Sequence, residues 1–156
     1  MSNTYSQLYI HHISAVKYRN CLINYDIEQS LYKYINGVIR NLDQTPIAVN
    51  GMPDHIHVLA RVKPNIMPSQ FVQKIKANSS RWININGDLE EEFRWQFGGA
   101  TLSVCHSRVK TVQKYIQNQK EHYKNVKFKD EYMAILNKHG IVPDKKYLPD
   151  FFDEST

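Results

Sequence analysis

The stretch His55–Val62, His-Ile-His-Val-Leu-Ala-Arg-Val, limits the possible folds more than any other part of the chain. Its residues alternate strictly. Ile56, Val58, Ala60 and Val62 fall on one side, and His55, His57, Leu59 and Arg61 on the other. A period of two belongs to an extended strand with one face in a core, where residues i and i+2 project together. His55 and His57 therefore share a face. Two imidazoles there could hold one divalent ion if a third side chain joined them. They could equally be polar residues on a solvated strand face.

The surrounding pattern frames this strand. Gln7–Val16 reads as a strand, and Ile27–Leu42 as a helix with Leu31, Ile35, Val38, Ile39 and Leu42 at helical spacing. Thr45–Asn50 is a short strand, followed by a turn at Gly51-Met52-Pro53-Asp54. Pro68 opens a helix that Phe71, Val72, Ile75 and Trp82 carry to Ile85. Asp88–Glu92 is a loop, and Trp95–Val104 a strand broken or bulged at Gly98-Gly99. Arg108–Tyr123 reads as a helix striped by Val109, Val112 and Ile116, and Phe128–His139 as a last helix stopped by Gly140. The order predicts an α+β fold: a ferredoxin-like split β-α-β antiparallel sheet with helices on one face, plus C-terminal helices. The other face is expected to be open for a ligand or a second subunit. Without repeats or linkers, residues 1–156 read as one domain, with 143–156 as a C-terminal tail.

Composition narrows the function classes. No apolar run approaches the ~20 residues of a membrane helix, and Met1–Leu8 lacks the basic and apolar regions of a secretory signal. The two cysteines, Cys21 and Cys105, stand in no metal or redox spacing, so a reducing cytoplasm is expected. The net charge is +5, and it is segregated. His55–Gly87 holds five basic residues and no acid, and Thr101–Lys129 seven against Glu121 alone. Such segregation suits a nucleic-acid surface, or else a solvated basic helix face.

A second motif is Tyr115-Ile116-Gln117-Asn118-Gln119-Lys120-Glu121-His122. On a helix Tyr115 and Gln119 stand over each other at i, i+4, with His122 on the same face. A phenol nucleophile and an amide metal ligand could thus meet, or Tyr115 could simply pack at a core margin.

Together the two motifs resemble the HUH nucleases. Asp54-His55-Ile56-His57 is similar to their His-hydrophobic-His motif. Tyr115 and Gln119 within Tyr-Ile-x-Asn-Gln resemble the tyrosine helix of that superfamily's single-tyrosine transposases. These are the IS200-like transposases of small insertion sequences, with the REP-associated tyrosine transposases as close relatives. Val16-Lys17-Tyr18-Arg19 resembles their N-terminal signature, and Phe71–Trp82 their basic second helix. Trp95–Val104 resembles their fourth strand, and Glu131–Tyr147 a C-terminal extension of some members. Phe97-Gly98-Gly99 departs from the pattern, being glycine-rich where an ordinary strand is expected.

The resemblance implies an enzyme that cuts and rejoins single-stranded DNA at hairpin-containing ends. His55, His57 and Gln119 would hold Mg²⁺ or Mn²⁺, and Tyr115 would attack the scissile phosphate to form a 5′-phosphotyrosine. Lys74, Lys76 and Arg81 would contact DNA. A homodimer with active sites shared between subunits is implied, acting in the bacterial cytoplasm without a membrane. His122 could be a general base or a surface histidine, and Glu121 a substitute metal ligand. The alternatives are a domesticated REP-associated transposase, a nickase, or a non-catalytic nucleic-acid-binding module. The last would need exposed aromatics on the central strands, where this chain offers imidazoles and Arg61.

Overall fold

The computed structural model describes residues 4–149. Four antiparallel strands, β1 (Leu8–Ala15), β2 (Thr45–Met52), β3 (His55–Val62) and β4 (Ala100–Val104), lie in the order β2-β3-β1-β4. Helices α1 (Glu28–Asn41) and α2 (Pro68–Asn86) make the crossovers, giving the expected α+β, ferredoxin-like order. β3 pairs with β1 along its whole length, from Val62 opposite Leu8 to His55 opposite Ala15. The alternation fixes that register, because a slip of one residue would turn Ile56, Val58, Ala60 and Val62 to the wrong face. In register, Ile56, Val58, Ala60 and Val62 join Leu31, Ile35 and Ile39 of α1 and Phe71, Ile75 and Ile83 of α2 in one buried cluster.

The opposite face, expected to be open, carries the C-terminal helices. α3 (Val109–Gln117) packs Ile116 against Ala48 and Leu59. α5 (Phe128–Lys138) packs Phe128, Tyr132 and Leu136 against Ile13, Ala15, Ala100 and Leu102. These three residues recur every four positions, so one stripe of α5 docks. Each such buried side chain contributes roughly 1.5–3 kcal/mol to holding the helix down.

Two elements differ from expectation. The last strand starts at Ala100, and Trp95 keeps only an isolated bridge to Val16. Gly98 and Gly99 intervene with φ of +89° and +121°. A Cβ on Gly99 would stand 2.6 Å from the Ile13 carbonyl oxygen, so only glycine lets the chain re-enter the sheet there. The helix expected over Arg108–Tyr123 is divided at Asn118 (φ −99°, ψ 21°), with α4 (Gln119–His122) beyond it. The Asn50 amide of β2 donates to the carbonyls of Ile116 (3.0 Å) and Gln117 (3.2 Å), satisfying helix-end acceptors where α3 stops.

Of the expected tail, residues 150–156 lie outside the described residues. Within it, Lys145–Tyr147 form a single 3-10 turn, and Gln96 Nε2 donates to the Leu148 carbonyl at 2.8 Å. Among the described residues, no helix is long and apolar enough to cross a membrane.

The fold carries a pH liability at His12 of β1. Its ring is buried between Thr101 Oγ1 (2.9 Å) and Ser14 Oγ (2.5 Å). Burial, and then the charge of Lys76, lower its pKa to about 3. An unfolded histidine titrates near 6.5, so between these values the unfolded chain binds the extra proton. Stability is therefore expected to fall from about pH 6.5 towards pH 3. Denaturant midpoints followed across that range should decline less steeply in His12→Asn than in the wild type.

Candidate active site

β3 leaves the turn at Pro53-Asp54 with both histidines fully buried at 0% exposure. Aromatic rings hem them in. Phe128 stands 4.0 Å from the His55 ring centre, Tyr123 4.9 Å from it, and Tyr115 5.8 Å from that of His57.

Each imidazole is anchored on its Nδ1 side. His55 Nδ1 lies 2.7 Å from Asp54 Oδ1, while Arg19 holds Asp54 Oδ2 at 3.2 Å. Burial alone would raise the Asp54 pKa, but the hydrogen bond and charge of His55, and then Arg19, hold it below the usual value. Arg19 is presented by a strained loop: Tyr18 and Arg19 have φ of 60° and 55°. Such conformations cost about 1–3 kcal/mol each in a non-glycine residue. The Val16 and Ile23 amides tie this loop to the turn by donating to the carbonyls of Asp54 (2.8 Å) and Pro53 (3.0 Å).

His57 Nδ1 lies 2.8 Å from His11 Nε2 on β1. Burial, and then the proximity of His57, push the His11 pKa well below its ordinary value. Burial lowers His57 as well, against the upward pull of Glu131. An imidazole anchored at Nδ1 presents Nε2, the arrangement typical of metal-ligating histidines.

Both Nε2 atoms face Glu131 of α5. Glu131 Oε1 is 3.1 Å from His57 Nε2 and 3.7 Å from His55 Nε2, and it also accepts from the Tyr123 hydroxyl at 3.1 Å. The second oxygen, Oε2, accepts from the Tyr115 phenol and from Gln119 Nε2 at 3.2 Å, and lies 3.1 Å from His122 Nε2. Tyr115, Gln119 and His122 thus converge on one carboxylate across the break at Asn118. Burial would raise the Glu131 pKa, but the hydrogen bond and charge of His57, the Tyr115 bond and the charge of His55 hold it far below the usual range. Burial first, and then the negative charge and hydrogen bond of Glu131, push the Tyr115 phenol well above its ordinary value.

The donor set fits a divalent cation. Two buried atoms of this cluster, His55 Nε2 and Gln119 Oε1, have no hydrogen-bond partner among the described residues. With the Nδ1 proton of His55 taken by Asp54, both are lone-pair acceptors, and buried acceptors without a donor are costly. The ligand atoms of His55, His57 and Glu131 all lie within 4.8 Å of one another.

The other residues singled out in the sequence fall elsewhere. Lys74 and Arg81 are exposed on α2. Lys76 turns inward, donating to the carbonyls of Gln96 (2.9 Å) and Gly98, and burial lowers its pKa. Glu121 is exposed and paired with Lys124 at 3.0 Å, and it is not grouped with His55 and His57 as Glu131 is. Sequence reasoning missed Glu131 and His11 as members of the cluster. A signal was present for Glu131, which interrupts the apolar stripe Phe128, Tyr132, Ile135, Leu136 of α5; a carboxylate on a buried face needs partners.

The fold is that of the tyrosine transposases. A structure of a REP-associated tyrosine transposase bound to a REP hairpin superposes with a TM-score of 0.57 at 17% identity, over 99% of this chain and 96% of that one. A crystal structure assigned to a transposase of Deinococcus radiodurans R1 superposes with a TM-score of 0.63 at 23% identity, over 76% of this chain and 95% of that one. The ISDra2 transposase TnpA of Deinococcus radiodurans is 28% identical over 120 residues, 72% of this chain and 84% of its own length. The chain belongs to the IS200-like transposase family, whose profile matches residues 4–119.

The cluster makes a titration prediction. Removing the Glu131 charge and acceptor in Glu131→Gln should lower the Tyr115 pKa. An ultraviolet titration of phenolate, differenced against Tyr115→Phe, should show Tyr115 ionising at a lower pH in Glu131→Gln than in the wild type.

Proposed function

We propose that this chain cleaves and rejoins single-stranded DNA at hairpin-bearing ends through a 5′-phosphotyrosine, with a divalent ion held by His55, His57 and Gln119. One observation carries the reading: within a single chain, the Tyr115 phenol binds the carboxylate that both histidine Nε2 atoms face. The ion, Mg²⁺ or Mn²⁺, would polarise the scissile phosphate. Tyr115 Oη forms a bond to phosphorus as the P–O3′ bond breaks, leaving a 5′-phosphotyrosine and a free 3′-OH. The phosphodiester energy stays in the covalent link, so a later 3′-OH can displace the tyrosine and reseal the strand. The phenolic proton has two acceptors at hand, Glu131 Oε2 and His122 Nε2, the latter 3.4 Å away. Beside Tyr115 a cavity of about 500 Å³, lined in part by Arg108 and Lys138, offers room and positive charge for a nucleotide next to the scissile phosphate.

The relative solved on a REP hairpin supports hairpin-bearing DNA as the substrate class. That structure matches almost the whole chain, including the α5 region, which supports a domesticated REP-associated role as the second reading, with the same chemistry.

Three tests follow from this reading. On a denaturing gel, labelled single strands from the flanks of the gene should give a metal-dependent covalent adduct with the wild type and none with Tyr115→Phe. An adduct that persists in Tyr115→Phe moves the nucleophile elsewhere. The family resemblance implied sites shared across a homodimer, whereas here Tyr115 and the histidines meet in one chain. A mixture of His55→Ala and Tyr115→Phe chains should therefore stay inactive; recovered activity would show a site built between subunits. For DNA binding, Lys74→Ala and Arg81→Ala should each reduce the slope of log affinity against log salt by about 0.7 per lost phosphate contact. Lys76→Ala should act mainly on stability, because its ammonium is occupied by carbonyls.

A further inference from the structure

We propose that Glu131 is itself a ligand of the divalent ion, contributed by α5, and that its two oxygens divide the work: Oε1 binds the ion and Oε2 holds the Tyr115 phenol beside it. The inference rests on the reading that His55, His57 and Gln119 bind a divalent cation.

The division is visible atom by atom. Glu131 Oε1 stands 3.7 Å from His55 Nε2 and 3.1 Å from His57 Nε2. His55 Nε2 is buried with no hydrogen-bond partner, and the tautomer that donates Nδ1–H to Asp54 leaves it a bare lone pair. An imidazole lone pair facing a carboxylate oxygen at this range is repulsive unless a cation lies between them. Gln119 repeats the pattern. Its amide nitrogen donates to Glu131 Oε2, which leaves its oxygen, buried and unpartnered, to complete the set. Two imidazole nitrogens and two oxygens, one of them anionic, make a donor set suited to Mg²⁺ or Mn²⁺ with room left for substrate oxygens.

Glu131 is tightly held for this task. Its side chain is 2% exposed, and α5 is fixed by Phe128, packed against His55, and by Tyr132 and Leu136 on the sheet. This helix lies beyond residues 4–119, the segment that the family profile matches. The ligand is therefore an addition by the C-terminal segment to the histidines and the tyrosine helix. It also explains how Tyr115 comes to its place: the phenol is tethered to a ligand of the ion.

The test is Mn²⁺ binding to the full chain without DNA, by calorimetry and by the loss of the free-ion paramagnetic resonance signal. The wild type should bind one Mn²⁺ per chain, and His57→Ala should lose it. Glu131→Gln should bind at least about tenfold more weakly, while Glu121→Gln, a surface carboxylate on neighbouring α4, should match the wild type. If Glu131→Gln binds Mn²⁺ as tightly as the wild type, or more tightly, while His57→Ala does not bind, Glu131 is no ligand and the proposal is overturned. If the wild type binds no Mn²⁺, or His57→Ala binds unchanged, the metal reading of the histidines fails instead. Should Glu131→Gln not fold, the infrared difference spectrum of the wild type on adding Mn²⁺ decides. A shifted carboxylate stretching band together with imidazole bands supports the ligand, and imidazole changes without a carboxylate shift refute it.

Discussion

A carboxylate whose side chain is 2% exposed cannot stand alone, and the organisation of the opposite sheet face follows from how Glu131 is accommodated. Removing an ion from water is costly unless partners surround it, and breaking a buried pair typically costs about 3–5 kcal/mol. Glu131 meets this demand with donors from three elements: His57 of β3, Tyr115 of α3 and Gln119 of α4, with Tyr123 just after it. A carboxylate has only about four lone-pair positions, so these groups must crowd around it. The crowding joins α5 to the sheet and the tyrosine helix to α5. Within one chain these side chains thereby form a single cluster.

The histidine pair is supported from behind with equal care. Asp54 fixes His55, and Arg19 fixes Asp54 from a loop whose left-handed residues would be unfavourable without that contact. His11 fixes His57 across the β1–β3 pairing. The N-terminal signature Val16-Lys17-Tyr18-Arg19 thus acts on the site at one remove, by holding the partner of a histidine. Three large aromatic side chains are also committed within the protein. Trp95 Nε1 donates to Ser79 at 2.9 Å, Trp82 stacks on Tyr34 at 5.6 Å, and Tyr123 serves Glu131.

Several features were open to reading from the residues alone. The alternation in β3 fixed both its face and its register, because period two allows no other burial of Ile56, Val58, Ala60 and Val62. The helical stripes of α1 and α2 and the glycine break before β4 were equally legible, each being a local rule of spacing or backbone freedom. His55 and His57 were legible as a pair, since neighbours two apart on a strand share a face whatever surrounds them.

What the tertiary structure alone decided lies between elements distant in the chain. The division of the tyrosine helix at Asn118 depends on Asn50, 66 residues before Ile116, whose amide satisfies the carbonyls where α3 ends. The covering of the second face by α3 and α5 could not be read from either helix, because an apolar stripe states that a helix docks and not where. Glu131 showed in the sequence only as a charge out of place on an apolar stripe. Its meaning came from packing that stripe over β3, which set its two oxygens between the histidines and the tyrosine. Spacing within one element fixes which side chains share a face, whereas the meeting of faces from different elements is settled only when the chain packs.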